Sequence, residues 1–190
     1  MDRLTNRTLH DAPQDARTLL ADLVQFSPTG APLHLHAQMA NSPALLHAYV
    51  ALRRALDEHA TLEPPMRAAL MLATASALPN AYVQNVTATL AARAGWNPGQ
   101  VAAIRAGRGV GDQHTDALLE VVLRAAADHG HVGDEAWTLA LEAGWGEDQL
   151  AEAYSFLGLT VFTGHFLNFA QTSLDLPGDA PAHAEATSGA

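Results

Sequence analysis

Asn80-Ala-Tyr-Val-Gln-Asn-Val-Thr-Ala-Thr-Leu-Ala-Ala-Arg-Ala-Gly-Trp96 is the stretch on which the reading of the fold turns. Asn80, Val83, Gln84, Thr87 and Ala91 recur at steps of three and four residues, so a helix places them on one face. That face is neutral and mostly polar. Gly95 follows the last periodic residue and supplies a left-handed stop. With Tyr82 and Asn85 beside it, the face could bind a small polar or carboxylate-bearing molecule through neutral hydrogen bonds. Equally, Asn80 could serve as a helix cap and Gln84 as a buried interface amide.

Working outward, the end of this helix occurs twice. Residues 89–102 read Thr-Leu-Ala-Ala-Arg-Ala-Gly-Trp-Asn-Pro-Gly-Gln-Val-Ala and residues 138–151 read Thr-Leu-Ala-Leu-Glu-Ala-Gly-Trp-Gly-Glu-Asp-Gln-Leu-Ala, with eight of fourteen positions identical. The unit is helix, stop, helix: Gly95 and Gly144 end a helix, Trp96 and Trp145 plug the corner, and a new helix starts. Asn97, Pro98 and Gln100 supply a cap, a first helical residue and a capping-box partner. Two copies are too few for a solenoid and fit a bundle with internal pseudo-symmetry.

The remaining chain is helical in pattern. Apolar periodicity and caps predict helices over 15–26, 43–59, 63–78, 98–106, 112–129 and 134–143, then a long, largely buried final helix over 147–174. Ser42 caps the second of these, with Pro43 at its first position. Residues 34–41 read as a short apolar stretch, opened by His34-Leu-His36. Gly107-Arg-Gly-Val-Gly111 is a connector, since its glycines follow no predicted strand and so lack the setting of a nucleotide loop. The domain should cover 15–177, preceded by a loosely held polar arm at 1–14 and followed by a disordered Ala, Gly, Pro and Ser-rich tail at 178–190. A hydrophobic share of 48% with only 6% aromatics favours closely packed helices, and the fold class is all-α.

Charge and cysteine usage exclude several functions. The formal net charge is −10, against the concentrated positive footprint that a nucleic-acid or anionic-membrane partner requires. All ten basic residues are Arg, the bias of a high-GC, bacterial genome. There is no cysteine, so no disulfide, thiolate metal site or thiol nucleophile can form. Neither a signal peptide nor a membrane span is visible, which points to a cytoplasmic protein.

Ten histidines invite a metal reading. His34 and His36, or His129 and His131, lie two apart and in an extended segment would point the same way, as a zinc or nickel chelate needs. Against this, no His-Glu-x-x-His helix or converging carboxylate pattern is present. His165 sits in an apolar run with Thr160, Thr163 and Asn168. It could reach a pocket lined by Asn80, Gln84 and Thr87 as a general base, or be a core or interface imidazole. Gly164 beside it weakens the helix by about 1 kcal/mol relative to Ala, a cost that fits close helix packing.

The spacing in residues 80–96 resembles the signature helix of the alkylhydroperoxidase D and carboxymuconolactone decarboxylase superfamily. There, thiol-active members carry Cys-x-x-Cys-x-x-x-His a fixed distance before an Ala-Gly helix end. The resemblance extends over residues 35–177. It takes in Ser42-Pro-Ala-Leu-Leu46, both Ala-Gly-Trp corners, His129-Gly-His-Val-Gly-Asp134 and the closing segment Phe162-Thr-Gly-His-Phe-Leu-Asn-Phe-Ala-Gln-Thr-Ser-Leu-Asp-Leu-Pro177.

Aligned on Gly95, the motif falls on Asn80, Val83 and Thr87, with Ala68 where a Glu often precedes it; Gly164 and Asn168 replace a frequent Asn and His. The resemblance thus implies an all-α, alkylhydroperoxidase-D-like homo-oligomer (dimer, trimer or hexamer) that has lost the redox chemistry and needs no cofactor. It would bind a small molecule without thiol chemistry or act as a non-catalytic oligomer. The alternatives are a lyase on a small organic acid, with His165 or His131 replacing the family base, and a histidine metal-binding protein.

Overall fold

Residues 1–25, 27 and 30–175 are described by the computed structural model, and among them are nine helices and no strand. In chain order these are α1 (Gln14–Val24), α2 (His34–Met39), α3 (Pro43–His59), α4 (Pro64–Ser76), α5 (Ala81–Arg93), α6 (Pro98–Arg105), α7 (Gln113–Ala127), α8 (Asp134–Glu142) and α9 (Glu147–Ala170). The expected disordered tail at 178–190 lies outside the described residues.

Helix starts follow from local chemistry. The side chains of Ser42, Asn80, Asn97 and Asp112 accept from the backbone N–H of Leu45, Val83, Gln100 and Thr115, each satisfying a donor that the first turn leaves without a partner. Each cap is worth about 1 kcal/mol. Gln100 returns the favour to the Asn97 N–H and completes the capping box.

The bundle is organised around α4, which packs against α5, α6, α7 and α9. Ala68, Ala69, Ala73 and Ala75 keep it thin, and Leu70 and Leu72 are fully buried. Small side chains let neighbouring axes come close, while each buried leucine contributes about 1.5–3 kcal/mol. Helix α9 lies across the same core and is uninterrupted through both its glycines. A methyl group at Gly164 would stand 2.8 Å from Leu78 Cδ1 and 3.4 Å from Val83 Cγ1, so the expected close approach at this glycine is present. The helix ends at Ala170 rather than near 174, where Gln171 turns left-handed (φ 50°) and Thr172 N donates to Leu167 O.

The repeat is reproduced down to its hydrogen bonds. Gly95 and Gly144 have φ of 106° and 100°. Trp96 N donates to Ala91 O at 3.2 Å and Trp145 N to Ala140 O at 3.1 Å. The two indoles then reach the second residue of a neighbouring helix. Trp96 Nε1 donates to Pro65 O of α4 and Trp145 Nε1 to His114 O of α7, each at 2.7 Å. Both tryptophans anchor their corners.

Two segments differ from expectation. Residues 34–39 are helical, because burial of Leu35, His36, Ala37, Gln38 and Met39 against the bundle outweighs a weak local pattern. The amino-terminal arm is irregular but not loose: Arg3 N donates to Ala170 O, Arg7 N to Ala37 O, and Arg7 Nε to Asn41 Oδ1.

Candidate functional site

A cleft of about 120 Å³ opens beside α5, between that helix, α3 and α9, with Leu35 of α2 and Met71 of α4 also in its lining. The periodicity of α5 puts Tyr82, Val83, Val86, Thr87 and Leu90 on this wall. Across from them stand Phe156, Leu159, Thr160, Thr163 and Leu167 of α9. Two of the three positions that align with the thiol motif, Val83 and Thr87, therefore line the cleft; the third, Asn80, does not.

The cleft's hydroxyl protons are largely committed. Thr87 donates to Val83 O (2.8 Å), Thr160 to Phe156 O (2.8 Å) and Thr163 to Leu159 O (2.7 Å), each reaching back one turn along its own helix. Tyr82 donates to Asp175 Oδ1 at 2.6 Å. Burial and the neighbouring carboxylate together push the Tyr82 phenol well above its ordinary range, so it stays protonated. What remains on the threonines is acceptor capacity.

One end is polar. The Tyr49 hydroxyl sits between His36 Nε2 (3.4 Å) and Arg53 Nη1 (3.5 Å), and the Arg53 guanidinium lies over the Tyr49 ring, 6.0 Å from its centroid. Arg53 donates to the phenol oxygen, which leaves the phenol proton for an unprotonated Nε2. Burial, reinforced by the positive charge of Arg53, pushes the His36 imidazole down to about 4, so it is neutral at physiological pH. Arg53 itself is exposed at the rim, together with Asp57 one turn on.

Beyond Tyr82 the end of α9 loops back as a strap. Asp175 accepts from the His34 N–H and the Tyr82 hydroxyl, Thr172 Oγ1 donates to Gln38 Oε1, and the Asp2 carboxylate accepts from Ser173 N. Residues 172–175 thus tie α2, α5 and the amino-terminal arm together.

Of the residues singled out from sequence, Tyr82, Val83 and Thr87 are in the cleft wall. Asn80 and Asn168 do meet, Asn80 Nδ2 donating to Asn168 Oδ1 at 2.6 Å, but outside that wall; Asn80 spends its oxygen on the α5 cap. Gln84 Nε2 donates to Leu78 O and holds the turn before α5. Asn85 faces α6, where its Oδ1 accepts from Arg105 Nη2.

The histidines do not converge there. His165 is exposed, because it is two residues on from Thr163 and a helix turns about 200° over that step. His131 and His129 are exposed in the turn between α7 and α8 and take no part in the cleft. His34 and His36, being helical rather than extended, diverge: His34 Nδ1 contacts Ser173 O while His36 is buried against Tyr49. Among the described residues no group of three or more His, Asp or Glu side chains could hold a metal ion.

Tyr49, Arg53, Asp57 and Asp175 are cleft or strap residues that sequence reasoning missed. For the first three a signal existed: together with Leu46 and Leu56 they recur at helical spacing along α3. Asp175 carried none, being placed by a turn that only the folded bundle defines.

No protein-family model matches the sequence, nor does the sequence of any curated protein. Solved structures do resemble the fold. An alkylhydroperoxidase AhpD core, an uncharacterized peroxidase-related protein from Ralstonia eutropha JMP134, superposes with a TM-score of 0.80 at 15% identity, covering 92% of each chain. A peroxidase-related protein from Silicibacter sp. TM1040 gives 0.73 at 12% identity, over 92% of this chain and 95% of that one. The debrominase Bmp8 gives 0.71 at 16% identity, over 87% and 88% of the two chains. A cysteine-to-alanine variant of Bmp8 in complex with 2,3,4-tribromopyrrole gives 0.70 at 15% identity, over 92% of this chain and 90% of that one. This chain, all-helical, with its Ala-Gly-Trp corner behind α5 and no cysteine at all, has the alkylhydroperoxidase-D-like fold.

Proposed function

We propose that the protein is a divergent, cysteine-less member of the alkylhydroperoxidase D group that binds a small molecule in the α5 cleft, as a cytoplasmic homo-oligomer without thiol peroxidase activity. The carrying observation is that Val83 and Thr87 stand in the wall of an open, mainly apolar cleft. The positions that align with redox residues thus keep their place beside a cavity and have exchanged a reactive surface for an inert one. Among solved proteins of this fold, the variant of Bmp8 with 2,3,4-tribromopyrrole shows a small ring compound bound to such a scaffold. A cleft of about 120 Å³ is of the size that admits a single ring.

The test is a titration of the protein with toluene, followed by NMR of its methyl groups. Saturable shifts at Val83 and Val86 are expected, and their loss in Leu90→Trp, which blocks the cleft from its exposed rim. Absence of saturable shifts in the unmodified protein would remove the cleft from consideration.

Self-association is supported by the outer side of α9. Tyr154, Phe162 and Phe169 are exposed there, Tyr154 by 62% and Phe169 by 68%, although the opposite face of the same helix is buried in the core. A helix apolar on all sides is ordinarily covered on all sides. Sedimentation should therefore show an assembly larger than one chain, and Phe162→Glu should lower its mass; a monomer at all concentrations would end the oligomeric reading.

A further inference from the structure

The donors and acceptors in the cleft are unequal in a way that selects a ligand. Thr87, Thr160, Thr163 and Tyr82 have given their protons to Val83 O, Phe156 O, Leu159 O and Asp175 respectively. Tyr49 is held between His36 and Arg53. A guanidinium carries five N–H donors, and here one of them reaches the Tyr49 oxygen. Arg53 makes no ion pair within 4.0 Å among the described residues, and its companion Asp57, one turn along α3, lies beyond that distance. The free hydrogen-bond donors lining the cleft are therefore concentrated on one cationic side chain at its rim. The rest of the wall is apolar or offers lone pairs.

We propose that Arg53 is the specificity-determining residue of the cleft and selects ligands with an apolar, ring-sized body and a single oxyanion, a carboxylate held at the rim while the body lies between α5 and α9. This rests on the cleft being the binding site and adds the charge of what binds. Tyr49 acts as a positioning residue: its ring under the guanidinium and its hydroxyl against His36 hold Arg53 over the cleft rather than out in solvent. A planar fork pre-organised in this way gives a carboxylate two parallel hydrogen bonds, the geometry in which Arg outperforms Lys. Asp57 opposes the anion and sets the limit on its affinity. With the threonine lone pairs, it would favour the opposite charge.

The test uses three probes of one shape, 4-methylbenzoate, 4-methylbenzamide and 4-methylbenzylamine, titrated by calorimetry at low salt into the full chain. Benzoate should bind about tenfold or more tightly than the amide, as a charge-assisted pair implies. Arg53→Gln should abolish that preference by weakening benzoate far more than the amide, Arg53→Lys should keep part of it, and Asp57→Asn should strengthen benzoate. Equal binding of benzoate and amide, a preference that survives in Arg53→Gln, or tighter binding of the benzylammonium would each overturn the inference. Amide binding without a charge preference would sink only the role of Arg53, whereas no binding of any probe would sink the cleft reading along with it.

Discussion

Helices α5 and α8 are one helix used twice, and they have met different fates. Both end in Ala-Gly-Trp, both turn at a left-handed glycine, and both pass an indole N–H to the start of the neighbouring helix. Yet α5 is enclosed by α4, α6 and α9 and forms the wall of the cleft, while α8 is shorter, rests mainly on α7, and leaves Trp137, Leu139 and Leu141 exposed. The corner is a matter of local chain chemistry and survives duplication. The cleft is a matter of what the bundle packs around a helix, and among the described residues it is α5 that lines it.

The comparison can be broken most readily at the corners themselves. Trp145 is buried and its ring stacks on His114 with centroids 4.0 Å apart, whereas Trp96 is half-exposed. Trp145→Ala should cost about 3–5 kcal/mol and Trp96→Ala about 1–2 kcal/mol, read from urea denaturation midpoints. Equal losses would mean that the two corners are not graded by burial.

Next in size is a pH effect at the polar end of the cleft, where α2 meets α3. His36 is buried with its imidazole held down to about 4, against an ordinary value of 6.5. The unfolded chain takes up a proton here below pH 6.5 and the folded chain does so only near 4, so the stabilising effect is complete above 6.5 and declines as pH falls between the two. The full loss is about 3 kcal/mol. Unfolding curves recorded from pH 7 to 4 should show it, and His36→Leu should flatten that interval. Carboxylates whose acidity is enhanced, Glu152 through its bonds from Thr61 and Leu62 among them, act at lower pH and would remain.

The smallest expected effect lies on α8. Leu139→Gln, at a site 50% exposed, should shift stability by no more than about 0.5 kcal/mol, since little apolar area is lost from the core. A larger loss that grows on dilution would show that α8, too, is covered by another subunit.

What was legible in the sequence were features that a few neighbouring residues decide. Ser42, Asn80 and Asn97 cap helices because a side-chain oxygen three residues upstream of an N–H needs no tertiary partner. The Ala-Gly-Trp corners belong to the same class, whereas the close approach at Gly164 is tertiary, to Leu78 and Val83, and was signalled only by a glycine inside a helix. The candidate site was legible only along α5. His165 looked inward because its neighbours are apolar, but α9 is apolar on every side and gives no hint of which face the core takes. Arg53 and Asp57 stand on α3 beside Arg54 and Glu58, and nothing in the sequence separates the cleft pair from the other two; the packing of α5 and α9 does. The pairing of His34 with His36 depended on an extended segment, and six residues of helix carry too little periodicity to be told from one.

The strap formed by residues 172–175 changes how the carboxyl-terminal end of the fold should be regarded. Asp175 is what keeps the Tyr82 phenol occupied. Trimming the chain just ahead of it would free a hydroxyl proton in a cavity whose other free donors belong to a guanidinium, and so would install a neutral anchoring point opposite the charged one. Residues 172–175 in that sense set which hydrogen-bond donors the cavity presents.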